Sequence, residues 1–487
     1  MSSPFILRFR TPNKYYVYDV NTNCFLQVSE VVYDVMGHSR CNSWLKIADE
    51  LSGKYDRKTI MRAVTEINQF QRTENVFSAF RPLRLFFPKT LEEVENALNT
   101  KMQQLILCVT EQCNLRCRYC IFSGSYKYQR THTPRWMSFD VAKKAVDLFV
   151  RCSSQSEFPA LGFYGGEPLL AFSLIEQVVE YVNAKYKNKL SFHITTNGTL
   201  LTSDVTQFLV QNNFNIVISL DGPAPIHDAM RVYPDGRGSF DIIMQNLHDM
   251  GQKYPEYFKK NVGFNVSLSV PDKIEDVYNF FLQKESILKG KRLTINQIDY
   301  EDTDLFENGV LKISDGRAMM NMIKHLVEQA IDGHGLDPFL KALLENPLIR
   351  IHQRCSRQLQ ENHYPNGICV PGVRRIFCDT DGNFSLCERI NPNLYIGHVD
   401  KGVCADFVMQ LIENYVKTSS PDCIECWAIR FCPACYCQLY RDQYDISKKR
   451  AFCMAECQNL SLAMAVYCAV REENDHAWDF LDDITLG

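Results

Sequence analysis

Leu105-Ile106-Leu107-Cys108-Val109-Thr110 is an apolar run that breaks at Glu111-Gln112 and leads straight into Cys113-Asn114-Leu115-Arg116-Cys117-Arg118-Tyr119-Cys120. A short apolar run of this composition reads as a strand buried on both faces. Three thiols within the next eight residues then lie in a loop at its carboxyl end, where parallel α/β sheets carry their ligand crevices. Five more strand candidates follow, at Leu161 to Tyr164, Leu190 to Thr195, Ile216 to Leu220, Val262 to Val270 and Leu293 to Ile298. Amphipathic stretches separate them: Phe139 to Cys152, Ser173 to Tyr186, Ser203 to Asn212, Phe240 to Lys253 and Ile274 to Lys284. Six βα repeats predict an α/β fold with a parallel sheet, two units short of a closed barrel: a partial (β/α)6 TIM-like barrel over residues 91–310.

Toward the N-terminus, Tyr15 to Val20 and Cys24 to Val28 flank Asn21-Thr22-Asn23, residues that tolerate positive φ, and so predict a β-hairpin. Ser29 is placed to cap a helix, Trp44 to Leu51 has helical spacing, and Ile60, Val64, Ile67 and Phe70 form the stripe of a third helix. With a last strand expected at Asn75 to Phe80, residues 1–90 read as a winged-helix-like α+β domain. Tyr15 to Tyr18 reads as a strand face. On the other side, a helical connector over Ile313 to Leu344 leads into a stretch with eleven cysteines in the 89 residues from Cys369 to Cys457. Its apolar periodicity is slight, so metal coordination is expected to supply much of the folding free energy of that stretch, which with the connector makes up a C-terminal cysteine-rich iron–sulfur domain over residues 311–487.

The 487 residues are 46% hydrophobic and 23% charged, ordinary for a globular chain, and 53 basic against 57 acidic side chains give a formal charge of −4. That balance argues against a nucleic-acid partner. The longest apolar runs, such as Leu105 to Val109, fall far short of the ~20 residues that span a bilayer, which argues against a membrane. Met1 to Tyr16 carries Arg8, Arg10 and Lys14 and no signal-peptide core, so the expected location is cytoplasmic. The cytosol keeps thiols reduced, and twenty cysteines there point to metal rather than to disulfides. Cys24, Cys41, Cys152 and Cys404 have no partner at ligand spacing, and Cys108 reads as a small buried hydrophobe. His193 reads as a packed core histidine, whereas His227, Asp228 and Arg231 follow an Asp-Gly turn near the barrel mouth and are substrate-site candidates.

Three thiolates so close together can grip one face of an iron–sulfur cubane and leave its fourth iron open to a substrate or cofactor. A redox or zinc loop is the alternative. The C-x3-C-x2-C spacing, with Tyr119 before the last cysteine, resembles the radical S-adenosylmethionine (SAM) superfamily. The resemblance implies a [4Fe–4S] cluster on Cys113, Cys117 and Cys120. Gly165-Gly166-Glu167-Pro168, after the second strand, is similar to the segment that contacts the methionine amino group of SAM in that family. Asn197 and Ser219, at the third and fourth strand ends, and Tyr119 are further SAM contacts implied by the resemblance. No catalytic side chain is assigned.

Farther along, Cys369-x12-Gly382-x4-Cys387 and Cys423-x2-Cys426-x5-Cys432 resemble the SPASM domain, which holds two auxiliary [4Fe–4S] clusters. A cysteine of that pattern would fall on Tyr436, which Cys435 and Cys437 flank. The resemblance implies a first auxiliary cluster on Cys369, Cys387 and either Cys435 or Cys437, its fourth position open or filled by Cys355 or Cys378. The second falls to Cys423, Cys426, Cys432 and either Cys453 or Cys457. Zinc ribbons are the alternative. The N-terminal unit looks like the precursor-recognition element of peptide maturases, where a leader peptide adds as a strand. The whole resembles a sactipeptide- or ranthipeptide-type maturase, implying three clusters, SAM, a Cys-containing precursor peptide and a reductant such as flavodoxin or ferredoxin. The implied reaction is thioether formation. Alternatives are carbon–carbon crosslinking, epimerisation, formylglycine formation, or a non-catalytic iron–sulfur or zinc electron-transfer scaffold.

Overall fold

A computed structural model describes residues 3–487 apart from 39–43, 187–188, 284–286, 299–300, 313, 334, 389, 391–393, 442, 483 and 485–487. Cys41, Ile313 and Lys284, named above, lie outside the described residues.

Three antiparallel strands open the chain in spatial order β1 (Ile6–Arg10), β2 (Tyr15–Asp19) and β3 (Cys24–Val28). Asn23, at φ 62°, and the Asp19 carboxylate, which accepts the Thr22 amide, make the tight turn between β2 and β3. Helices Glu30–Gly37, Trp44–Glu50 and Arg57–Thr73 follow, the first capped by Ser29 and the last by Asp56. Ile60, Val64 and Ile67 are buried as their spacing predicts, but Phe70 is exposed. The strand expected at Asn75 to Phe80 does not form. Asn75 and Phe77 adopt φ of 55° and 59°, which breaks an extended run and turns Phe77 into the core. The third strand is β1, where Arg8 and Arg10 interrupt the apolar pattern.

One face of this sheet covers its own helices. The other meets the C-terminal region: Tyr18 packs on Trp427 and Phe431, and Phe25 packs on Tyr467. Arg430 donates to the carbonyls of Val20 and Asn21 at 2.7 and 2.8 Å.

After β4 (Arg84–Leu85) and the helix Leu91–Thr100 come the six barrel strands: β5 (Gln104–Thr110), β6 (Ala160–Gly165), β7 (Ser191–Thr196), β8 (Asn215–Ser219), β9 (Val262–Leu268) and β10 (Leu293–Gln297). All neighbours pair in parallel in that order, with helices in the predicted gaps, so the core is the partial (β/α)6 barrel. Two short helices, Ala224–Met230 and Pro255–Asn261, were not foreseen.

The sheet does not stop at β5. Beyond β11 (Asn362–His363), which pairs with β4, the strand β12 (Ile376–Cys378) lies parallel to β5. Strands β13 (Asn383–Ser385), β14 (Tyr395–His398) and β15 (Gly402–Val403) continue antiparallel into one ten-stranded sheet. The cysteine-rich region thereby covers the edge that β5 would otherwise expose. Among the described residues one helix, Ile446–Glu473, is long and apolar enough by composition to cross a membrane. In this fold it turns Leu460, Met464, Tyr467 and Val470 into the core and presents Cys453 and Cys457 to other thiols.

Candidate active site

The loop after β5 is fastened to the next strand by backbone. Gly166 and Glu167 donate their amides to the carbonyls of Thr110 and Gln112 at 2.9 and 2.8 Å. A Cβ on Gly165 would sit 2.1 Å from the Thr110 carbonyl oxygen, and one on Gly166 2.0 Å from that of Gln112. Only glycine permits this approach, and Gly165 also holds φ 145°. These amides are donors already engaged within the chain, and an ammonium group needs acceptors. Glu167 is almost completely buried: Oε1 accepts from Leu169 N and Thr196 Oγ1, and Oε2 accepts from Asn197 N at 2.7 Å. Burial pushes its carboxyl up to about 7, against those three bonds, which favour the ionised form. Of the roughly four acceptor sites of a carboxylate, one on Oε2 is left.

On its far side the loop is zipped to the chain that follows the helix Ala224–Met230, with Arg116 N to Val232 O at 2.7 Å and Arg118 N to Met230 O at 2.9 Å. Leu115 is a fully buried plug between these attachments. Within the loop, the amides of Leu115 and Phe122 donate to the sulfurs of Cys113 and Cys120, each at 3.4 Å. Asn197 Nδ2 stands 4.0 Å from the Cys113 sulfur while bonding Asn114, and Arg231 Nη1 stands 3.9 Å from that of Cys117. His132 Nε2 is 4.0 Å from the Cys120 sulfur. Burial, with neighbouring thiols adding to it, pushes Cys113 up to about 11 and Cys117 to about 12, and burial alone raises Cys120 against the Phe122 amide and nearby arginines. Such thiols ionise when a cation binds them. Among the described residues no three His, Cys, Asp or Glu side chains are placed to hold a single metal ion, and three thiols on one loop, each with an N–H donor near its sulfur, fit the larger iron–sulfur group instead.

Beneath the loop is a buried bracket. Asp221 accepts from the Tyr119 hydroxyl, from Arg231 Nε at 2.8 Å and from Ser267 N at 3.0 Å. His227 accepts the Asp221 amide and bonds Ser239; burial pushes it down to about 4, so it is neutral near pH 7. Asp228 accepts the amides of Ser239 and Phe240, capping the helix Phe240–Lys253 from outside. Arg231 therefore supports the three-thiol loop directly, His227 does so through Asp221, and Asp228 caps the helix Phe240–Lys253. Ser219 is buried at the end of β8. His193 is half-buried on β7 against Ser191. Sequence reasoning missed Asn114, His132 and the Arg231 contact to Cys117; only the fold brings these together.

The C-terminal thiols form two groups. Cys369, Cys387, Cys435 and Cys437 act on one another electrostatically, with Cys387 and Cys437 sulfurs 3.9 Å apart. Both Cys435 and Cys437 join the group, where one was expected. Cys355 is exposed, and Cys378 is buried on β12 beside Cys108. In the second group Cys423, Cys426, Cys432 and Cys453 line a cavity of about 340 Å³. Cys457, one helical turn after Cys453, lies 3.9 Å from the Cys426 sulfur without lining the cavity. A single zinc ion draws its four sulfurs in to about 2.3 Å, and among the described residues no three Cys, His, Asp or Glu side chains are placed to hold one metal ion.

The fold and this site define the class of the protein. Residues 107–266 match the radical SAM superfamily, so the barrel carries a radical SAM domain. It is 37% identical over 139 residues to an uncharacterized protein of Methanocaldococcus jannaschii, a match covering 28% of this chain and 45% of that protein. It is 29% identical over 362 residues to a cysteine-type anaerobic sulfatase-maturating enzyme of Clostridium novyi, covering 69% and 86% of the two chains. The solved structure of native anSMEcpe with bound AdoMet shares the fold, with TM-score 0.56, 18% identity and coverage of 79% of this chain and all of that one.

Proposed function

We propose that this chain matures a ribosomally made precursor peptide by joining a peptide cysteine to another residue through a thioether. The reading rests above all on the gathering of twelve cysteines into a set of three at the barrel mouth and sets of four and five in the C-terminal region. Cys113, Cys117 and Cys120 would hold the cluster that binds SAM, which when bound supplies one-electron cleavage to a 5′-deoxyadenosyl radical. Tyr119, Gly165, Gly166, Glu167, Asn197 and Ser219 are the candidates for contact with SAM. Cys369, Cys387, Cys435 and Cys437 would hold one auxiliary [4Fe–4S] cluster, and Cys423, Cys426, Cys432 and Cys453 another.

As the bond forms, the peptide loses a hydrogen atom from the acceptor carbon, a proton from its thiol and one further electron. An oxidative coupling of this kind requires an electron sink, and the two C-terminal cysteine sets offer one. Residues 1–90 would bind the leader as an added strand, residues 91–310 form the radical SAM barrel, and residues 311–487 the SPASM-like region. A cytoplasmic location suits the thiol content, and flavodoxin or ferredoxin would serve as reductant.

The match to a sulfatase-maturating enzyme over 69% of this chain favours a second reading, oxidation of a protein cysteine to formylglycine. One anaerobic experiment separates the two. The reconstituted protein, dithionite and SAM are mixed with a Cys-containing precursor peptide, and the peptide is followed by mass and thiol alkylation. About twelve irons per chain, a loss of two hydrogens and a blocked thiol carry the thioether reading. An aldehyde at cysteine carries the second, and zinc without SAM cleavage overturns both.

A further inference from the structure

Lys449, in the first turn of the helix Ile446–Glu473, is 1% exposed. Its Nζ donates to the Cys423 sulfur at 2.8 Å and lies 5.7 Å from the centre of the Tyr415 ring. Two more sulfurs of the same cavity, those of Cys426 and Cys453, lie within reach of its charge. The acid adjacent to Cys423 in sequence, Asp422, is engaged by Arg450 at 2.7 Å instead. Among the described residues Lys449 forms no salt bridge, although Asp422 feels its charge, and its hydrogen bond goes to sulfur.

An ammonium group out of water is costly unless an anion faces it. Four thiolates on an iron–sulfur core provide that anion. We propose that Lys449 is the built-in counter-ion of the cluster held by Cys423, Cys426, Cys432 and Cys453, and that it holds that cluster's reduction potential up. Reduction adds negative charge to the cluster, so a fixed cation bonded to a ligand sulfur stabilises the reduced form more than the oxidised one. Hydrogen bonds to sulfur and local charge are the levers by which proteins set such potentials. Lys449 is thus a positioning residue that makes this cluster the better electron acceptor. The inference rests on the reading of these cysteines as cluster ligands.

The test is an anaerobic redox titration of the reconstituted full-length protein followed by electron paramagnetic resonance, for wild type, Lys449→Met and Lys449→Arg. The signal of this cluster is the one lost, with its iron, in Cys426→Ala. Lys449→Met should move its potential in the negative direction, and Lys449→Arg should stay near wild type. An unchanged potential in a loaded Lys449→Met protein overturns the inference, even if thermal stability falls. Should Lys449→Met not load, Lys449→Gln is titrated against Lys449→Arg, and equal potentials overturn the inference as well. If Cys426→Ala loses neither iron nor a signal, it is the cluster assignment that fails.

Discussion

Cys113, Cys117 and Cys120 span eight residues and sit on a loop tied by backbone hydrogen bonds to the end of β6 on one side and to Met230–Val232 on the other, with side-chain bonds from Asn114 and Tyr119 added. Nine of the eleven thiols between Cys369 and Cys457 fall into the two groups, and they come from separate segments joined by loops, strands of two to four residues and the helices Ala405–Cys423 and Ile446–Glu473. In the first region a parallel sheet forms by apolar burial and presents a ready set of ligands. In the second, buried residues join the barrel's core, but the ligands are brought together across long loops, so metal binding is expected to order the segments that carry them. A barrel that stands without its cluster and a cysteine region that does not is the expected consequence.

The largest effect should come from the loop itself. Cys117→Ala should abolish SAM cleavage while far-ultraviolet circular dichroism stays that of the wild type, because the zipped backbone does not need the thiol. Removing iron with a chelator should separate the regions next. Hydrogen exchange should rise across residues 369–457, while amides of β5 to β9 keep their protection; loss of protection in both regions at once would break the comparison. A finer cut falls within the C-terminal set. Cys453→Ser should lose about four irons and Cys457→Ser none, read by iron and sulfide analysis, because Cys453 lines the cavity and Cys457 does not. The smallest effect should be that of Glu167→Gln. The amide that replaces Oε2 faces the Asn197 N–H donor, and an unsatisfied buried donor costs about 1–3 kcal/mol, measurable by thermal unfolding.

The legible parts of the fold were those where one segment carries its own evidence. Each barrel strand was within a few residues of its observed position, β5, β6 and β9 because they are buried along most of their length and β7, β8 and β10 because their apolar residues, alternating in β7 and β10, lie between amphipathic helices. β1 was missed because Arg8 and Arg10 alternate with Leu7 and Phe9, a pattern that means little until β2 is beside it. β12 to β15 were missed because two to four residues leave no measurable period. At the site, strand-end glycines were visible as punctuation, but their use was not. Gly165 and Gly166 are required by the approach of Thr110 and Gln112, more than fifty residues earlier in the chain.

Local order alone settled the parallel barrel, the three-thiol loop at the end of its first strand and the presence of a second cysteine-rich region, since each depends on residues a few positions apart. Tertiary structure decided which thiols meet. It brought both Cys435 and Cys437 to Cys369 and Cys387, put Cys453 on the cavity wall and Cys457 off it, and buried Lys449 against Cys423, 26 residues away. It also turned Arg231 and His227 into parts of the bracket around Asp221 beneath the three-thiol loop, and Asp228 into a helix cap. The reason is physical: spacing along a chain fixes reach only over a turn or a strand, and beyond that the packing of the core chooses the neighbours.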